Sequence, residues 1–341
     1  MKGLVFSLLS IFFLADCLTA QIIKTSSIQD IREEITDNTL VLFNIAEVLM
    51  DTETSLGTQA WRKFIRVRLD SKLHDELTLF VFENVPPKCP EPSTPQLINE
   101  LQSEGIVTLA FTSRGRNEWY ASQVPNVDLI TEKLLLQIGI DFSKTQLSEE
   151  LLLLPSLFAE FYHAGVIYAT NTREKGELLL EIFERTGYRP SKIVFVDDKV
   201  DSLIAVEKTP SSLNIPFVGY AYSRTSKDHA NFDPLVANIQ LDWLITYGKV
   251  LTDAEAIEIK NEQYLNTDLS QYFEEVIGKW KAYQGSIAEN SIKSFSKTRR
   301  FSERVPEFSL HLLLHAPQSL LRHGMQSHRY SHHIFCEELS L

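Results

Sequence analysis

The chain is poor in cysteine. Only three of its 341 residues are Cys, and Cys17 falls in the N-terminal apolar stretch, which leaves Cys89 and Cys336. Two thiols so far apart exclude a disulfide framework, and neither stands in a metal-type spacing. Basic charge is also short. Lys and Arg number 33 against 45 Asp and Glu, a formal net charge of −12. A nucleic-acid binder needs the opposite balance, so nucleic acid is excluded as a partner. After residue 20 no apolar run is long enough to span a bilayer, and no internal repeat is evident. What is present is ordinary for a soluble globular protein, with 44% hydrophobic and 23% charged residues. The length suits one large domain, or a core domain with an insertion.

The N-terminus has the layout of a secretory signal. Lys2 is followed by the uncharged, largely apolar residues 3–15, and Leu18-Thr19-Ala20 ends in a small residue suited to cleavage before Gln21. Residues 1–20 are therefore expected to be removed, with no transmembrane segment left after cleavage. The expected location is secreted or periplasmic. Asp16 before Cys17 fits a lipid-attachment site poorly.

Buried-strand candidates punctuate the body of the chain. They are Thr39–Asn44, residues 106–111, 165–169, Lys192–Asp197 and 215–222. Each is a short apolar run bounded by polar or turn residues, as in a parallel sheet covered on both faces. Helical spacing fits 93–103, with Leu97, Ile98 and Leu101 on one face, and 177–186, with Gly187 as its C-cap. Strand, helix and strand at this spacing imply an α/β fold with a parallel, Rossmann-like sheet. The expected division is a signal peptide over 1–20, an α/β domain over 21–290 with insertions at 51–92 and 116–164, and a tail over 291–341. The tail carries seven Lys or Arg and six of the nine His, and is expected to be a poorly ordered extension. His311 and His315, or His332 and His333, suggest a metal site, but no carboxylate or Cys completes a ligand set.

Four strand ends carry polar groups in order: Asn44 with Ala46, Thr112, Lys175, and Asp197 with Asp198. In open α/β sheets the ligand sits beyond the carboxyl ends of the strands, so these side chains face one crevice. Each also has a plainer reading. Asp197 and Asp198 could cap the following helix, Thr112 could be a turn residue, and Lys175 a helix-surface lysine. Glu47 and Asp51 lie close enough to replace a missing acid, but Glu47 would need a local kink, since neighbouring strand residues point to opposite faces.

The segments VLFNIAEVL, VTLAFTSRG, TREKGELLL and KIVFVDDKVDSL resemble, in order, the four motifs of the haloacid dehalogenase-like (HAD) superfamily of phosphohydrolases. The resemblance covers roughly residues 38–250, and is nearest to a group of uncharacterised secreted HAD-like proteins of intracellular bacteria. It implies that position 44 is the aspartyl nucleophile, position 46 the acid/base, Thr112 and Lys175 the phosphate-binding pair, and Asp197 and Asp198 the Mg²⁺ ligands. Position 44, and the backbone carbonyl of position 46, would complete the metal site. This chain departs from the pattern at its chemical centre. Asn44 is a neutral amide and a poor nucleophile, and Ala46 carries no proton. The resemblance thus implies an impaired phosphatase homologue with weakened Mg²⁺ affinity, which binds a phosphorylated small molecule or protein. An active Mg²⁺-dependent acid phosphatase and a non-enzymatic partner-binding protein are the alternatives.

Overall fold

The computed structural model describes residues 21–112, 127–154, 160–169, 174–225 and 229–302. Two compact units divide the chain, Met1–Ile277 and Gly278–Leu341.

The first unit is built on strands β1 (Gln21–Thr25), β2 (Thr39–Asn44), β5 (Val107–Thr112), β6 (Leu152–Leu153), β7 (Phe161–His163), β8 (Val166–Tyr168), β9 (Lys192–Asp197) and β10 (Phe217–Tyr222). They form one sheet in the order β1-β10-β9-β2-β5-β8-β7-β6. The first six strands of that order are mutually parallel, and β7 and β6 add an antiparallel edge. A separate ribbon pairs β3 (Asp51–Thr52) with β4 (Pro87–Lys88). The mostly parallel sheet, flanked by helices, is a Rossmann-like α/β fold, as the apolar runs predict.

Period-2 alternation explains why those runs are continuous. Val41 and Phe43 of β2 join one core with Val194, Val196 and Ala110. Leu40 and Leu42 join the opposite core with Leu109, Phe111, Ile193 and Phe195. Helices α3 (Thr94–Ser103) and α4 (Val127–Gln137) cover the first face through Leu97, Leu101, Leu134 and Leu135. Helices α5 (Lys175–Thr186) and α6 (Val200–Ser212) cover the second through Leu178, Leu179, Ile182, Leu203 and Val206. Between β3 and β4 run α1 (Gln59–Arg66) and α2 (Ser71–Asn84). After β10 come α7 (Pro234–Tyr247) and α8 (Asp253–Gln263).

Three features differ from the sequence reading. Residues 21–25, for which no element was expected, form a parallel edge strand. The strand expected over 165–169 is the second arm of a hairpin, turned by Ala164 (φ 48°) and Gly165 (φ 77°). Two successive positive φ values define a type I′ turn, which matches strand twist. Gly165 is required twice over, because a Cβ there would lie 2.3 Å from the Phe142 carbonyl oxygen. The stretch 116–164, expected as an insertion, contains α4, which buries Leu134 and Leu135 in the main core, and the edge strands β6 and β7.

A long helix, α9 (Leu269–Ser302), runs past residue 290. In the second unit the described residues, 278–302, are helical throughout. Residues 1–20, expected to be a signal peptide, and the histidines of the tail lie outside the described residues. Among the described residues no helix is long and apolar enough to cross a membrane.

Candidate functional site

The sheet order locates the crevice. From β2 the chain passes to β5 and β8 on one side, then returns to place β9 and β10 on the other. The β2–β9 boundary is therefore a topological switch point, where the carboxyl ends of adjacent strands open a cleft. Asn44 pairs in register with Phe111, one residue before Thr112, and Phe43 with Val196, one before Asp197. Asn44, Thr112 and Asp197 consequently end neighbouring strands at one edge.

Beyond Asn44 the chain turns sharply. The Leu49 and Met50 amides both donate to the Ile45 carbonyl, at 3.0 and 2.9 Å, and Glu47 N donates to Met50 O at 3.1 Å. Ile45, Val48 and Leu49 are fully buried and anchor this loop. The loop returns the Ala46 carbonyl towards the Asn44 side chain. Asn44 Nδ2 donates to Ala46 O at 2.9 Å and to Asp198 Oδ1 at 2.9 Å. A carbonyl oxygen and an ionised carboxylate can only accept, so it is the amide nitrogen, not its oxygen, that must face them.

Asp197 and Lys175 form a second pair. Lys175 Nζ lies 2.7 Å from Asp197 Oδ2, and the Asp197 side chain is wholly buried. The other oxygen, Oδ1, accepts the Lys199 backbone N–H at 2.9 Å, just before α6. Asp197 therefore does not cap the helix as its plainer reading had it: the N-cap is Lys199, with no side-chain cap bond, and Asp197 instead fixes the chain just before the helix. The Lys175 ammonium also lies 5.3 Å from the ring centroids of both Phe111 and Phe195, within cation–π range. Lys175 opens α5, and Gly176 sets how close that helix comes to α6. A Cβ at Gly176 would meet Thr209 Oγ1 at 2.5 Å and the Ala205 carbonyl at 2.7 Å.

Asp198 is half-buried, and burial is the main cause that pushes its carboxyl up to about 6, with the Asp197 and Glu47 charges adding to the shift and Lys199 opposing it. Glu47 was not among the residues read as a constellation. The kink it needed is present, since its backbone is left-handed at φ 68°. Its carboxylate is buried and lies 3.5 Å from Arg62 of α1. Thr225 Oγ1 donates to the Glu47 carbonyl and holds the turn from the other side. Nothing in the spacing of residues 47 and 62 announces this pair. Asp51 lies in the β3 ribbon and accepts the Thr52 backbone N–H at 2.9 Å.

The six positions singled out in the sequence therefore converge at one edge of the sheet. Thr112 is buried at the end of β5; Arg114 after it lies outside the described residues. Among the described residues no group of three or more His, Cys, Asp or Glu side chains is placed to hold a metal ion.

A family model, whose description is "Protein of unknown function (DUF2608)", matches residues 24–257. The chain belongs to the DUF2608 family. The match takes in the sheet except for residues 21–23 of β1, and every strand end just described. A relative in Chlamydia trachomatis serovar D, named "Putative outer membrane protein", is 24% identical over 233 residues, which is 64% of this chain and 83% of the relative. The family match covers most of the α/β unit of this DUF2608 protein, and its description attaches no activity to the strand-end cluster.

Proposed function

We propose that this DUF2608 protein is a catalytically impaired phosphohydrolase homologue of HAD type, which binds a phosphorylated ligand or partner without turning it over. The reading rests on one observation above the others. The side chain at the nucleophile position, Asn44, is a hydrogen-bond donor to Ala46 O and Asp198 Oδ1. An amide nitrogen shares its lone pair with its own carbonyl and so cannot attack a phosphorus centre, and Ala46 has no proton to give a leaving group. On this reading Thr112, at the end of β5, and Lys175, at the start of α5, would hold the phosphoryl group. An ammonium has three donors, and Asp197 takes one of them. The signal-like N-terminus and the outer-membrane name of the Chlamydia relative support export to the envelope or beyond.

The test is turnover of a generic phosphomonoester with Mg²⁺ by residues 21–341 and by the Asn44→Asp/Ala46→Asp double variant. A silent wild type beside an active double variant is expected. Wild-type turnover that disappears in Asp197→Ala would overturn the reading, and Glu47, whose backbone is already kinked beside the site, would be the acid to examine next.

A further inference from the structure

The HAD pattern that these segments resemble places a divalent cation between the side chain at position 44, the carbonyl of residue 46 and the paired acids that end β9. Here the point between Ala46 O and Asp198 Oδ1 is held by Asn44 Nδ2. We infer that the Asn44 amide group takes the place of the cation, so that the centre is built to stand without a metal; the inference rests on the HAD-type reading of these strand ends.

The chemistry is one of matching donors to acceptors. Ala46 O and Asp198 Oδ1 both lie 2.9 Å from Asn44 Nδ2 and so converge on one point. A carboxylate at position 44 would add a third oxygen centre and leave no proton between them. Such a cluster needs a cation. The amide supplies two protons to the same two oxygens, one of them in a charge-assisted bond. It also removes a negative charge from a place where Asn44 is only 7% exposed and Asp197 fully buried. The remaining carboxylate, Asp197, is already neutralised by Lys175 at 2.7 Å and by a backbone N–H at 2.9 Å. Both acids of the pair therefore have protein donors in place of metal. Accepting Mg²⁺ would cost the rotation of the amide and the loss of both its bonds. A single Asp-to-Asn difference then does two things: it disables the nucleophile, and it keeps the fold of the site intact without a cofactor.

Thermal unfolding of the full chain, with EDTA and with MgCl₂, tests this. The wild type is expected to unfold at the same temperature in both. Asn44→Asp is expected to be less stable in EDTA and to regain stability with Mg²⁺, by about 3–6 °C when the ion is at ten times its dissociation constant. Substituting Asp198→Asn in that background should abolish the response. Electron paramagnetic resonance of Mn²⁺ added to the wild type needs no variant to fold, and should show no ion bound at this site. One Mn²⁺ per wild-type chain, lost in Asp198→Asn, would overturn the inference while leaving the HAD-type reading in place. A folded Asn44→Asp variant with no response to Mg²⁺ would overturn both, because the strand ends would then not mark a cation position at all.

Discussion

At the scale of single residues, the Lys175–Asp197 pair carries the largest stability consequence. Breaking a buried ion pair by removing one partner leaves an uncompensated charge, which costs far more than the pair is worth. Lys175→Met should therefore destabilise the protein by ~3–5 kcal/mol in urea unfolding. The double variant Lys175→Met/Asp197→Asn should recover part of that loss, because the remaining amide is neutral and still accepts from Lys199 N. If the double variant is as unstable as the single one, most of the loss comes instead from the contact of the ammonium with the rings of Phe111 and Phe195. These residues were legible in the sequence because apolar runs end abruptly at Asn44, Thr112 and Asp197, and parallel sheets gather such ends at one edge. Glu47 and Arg62 were not legible. Their meeting depends on a left-handed residue that is neither Gly nor Asn, which no local pattern marks.

At the scale of elements, the approach of α5 to α6 decides where Lys175 stands. Gly176→Ala would place a methyl group against backbone and side chain of α6, at 2.7 and 2.5 Å. Helix propensity alone would favour alanine. The clash outweighs it, and we expect a net loss of ~1–3 kcal/mol by chemical denaturation. A gain in stability would show instead that α6 can yield. The β7–β8 hairpin shows the limits of reading elements from apolar runs. Phe161–His163 and Val166–Tyr168 are only three residues each, and the Ala164–Gly165 turn lacks the Asn or Asp that usually flags a type I′ connection. Edge strand β1 escaped for a similar reason. QIIKT has a single apolar pair, Ile22 and Ile23, which pack partly against opposite faces of the sheet.

On the scale of the whole molecule, the sheet ends at that strand. Its partner β10 is buried along its full length and carries Phe217, Tyr220 and Tyr222. Without β1 its backbone donors and acceptors would be bared beside aromatic side chains, a template for intermolecular pairing. A chain that begins at residue 27 should unfold at lower temperature and associate in a concentration-dependent way, read by light scattering. A truncated chain that stays monomeric, with an unchanged midpoint, would show that β1 contributes nothing to closing the edge.

The place of β1 also sets a timetable. Gln21 pairs with Val218, so the first strand of the sheet waits for a partner made ~200 residues later. Every parallel contact that does not involve β10 can form before that one. A chain emerging N-terminus first, from a ribosome or through a pore, therefore keeps its outermost strand unclaimed until β10 has followed it. Completion of the sheet reports that nearly all of the α/β unit has arrived, and until then the front of the chain remains a thread.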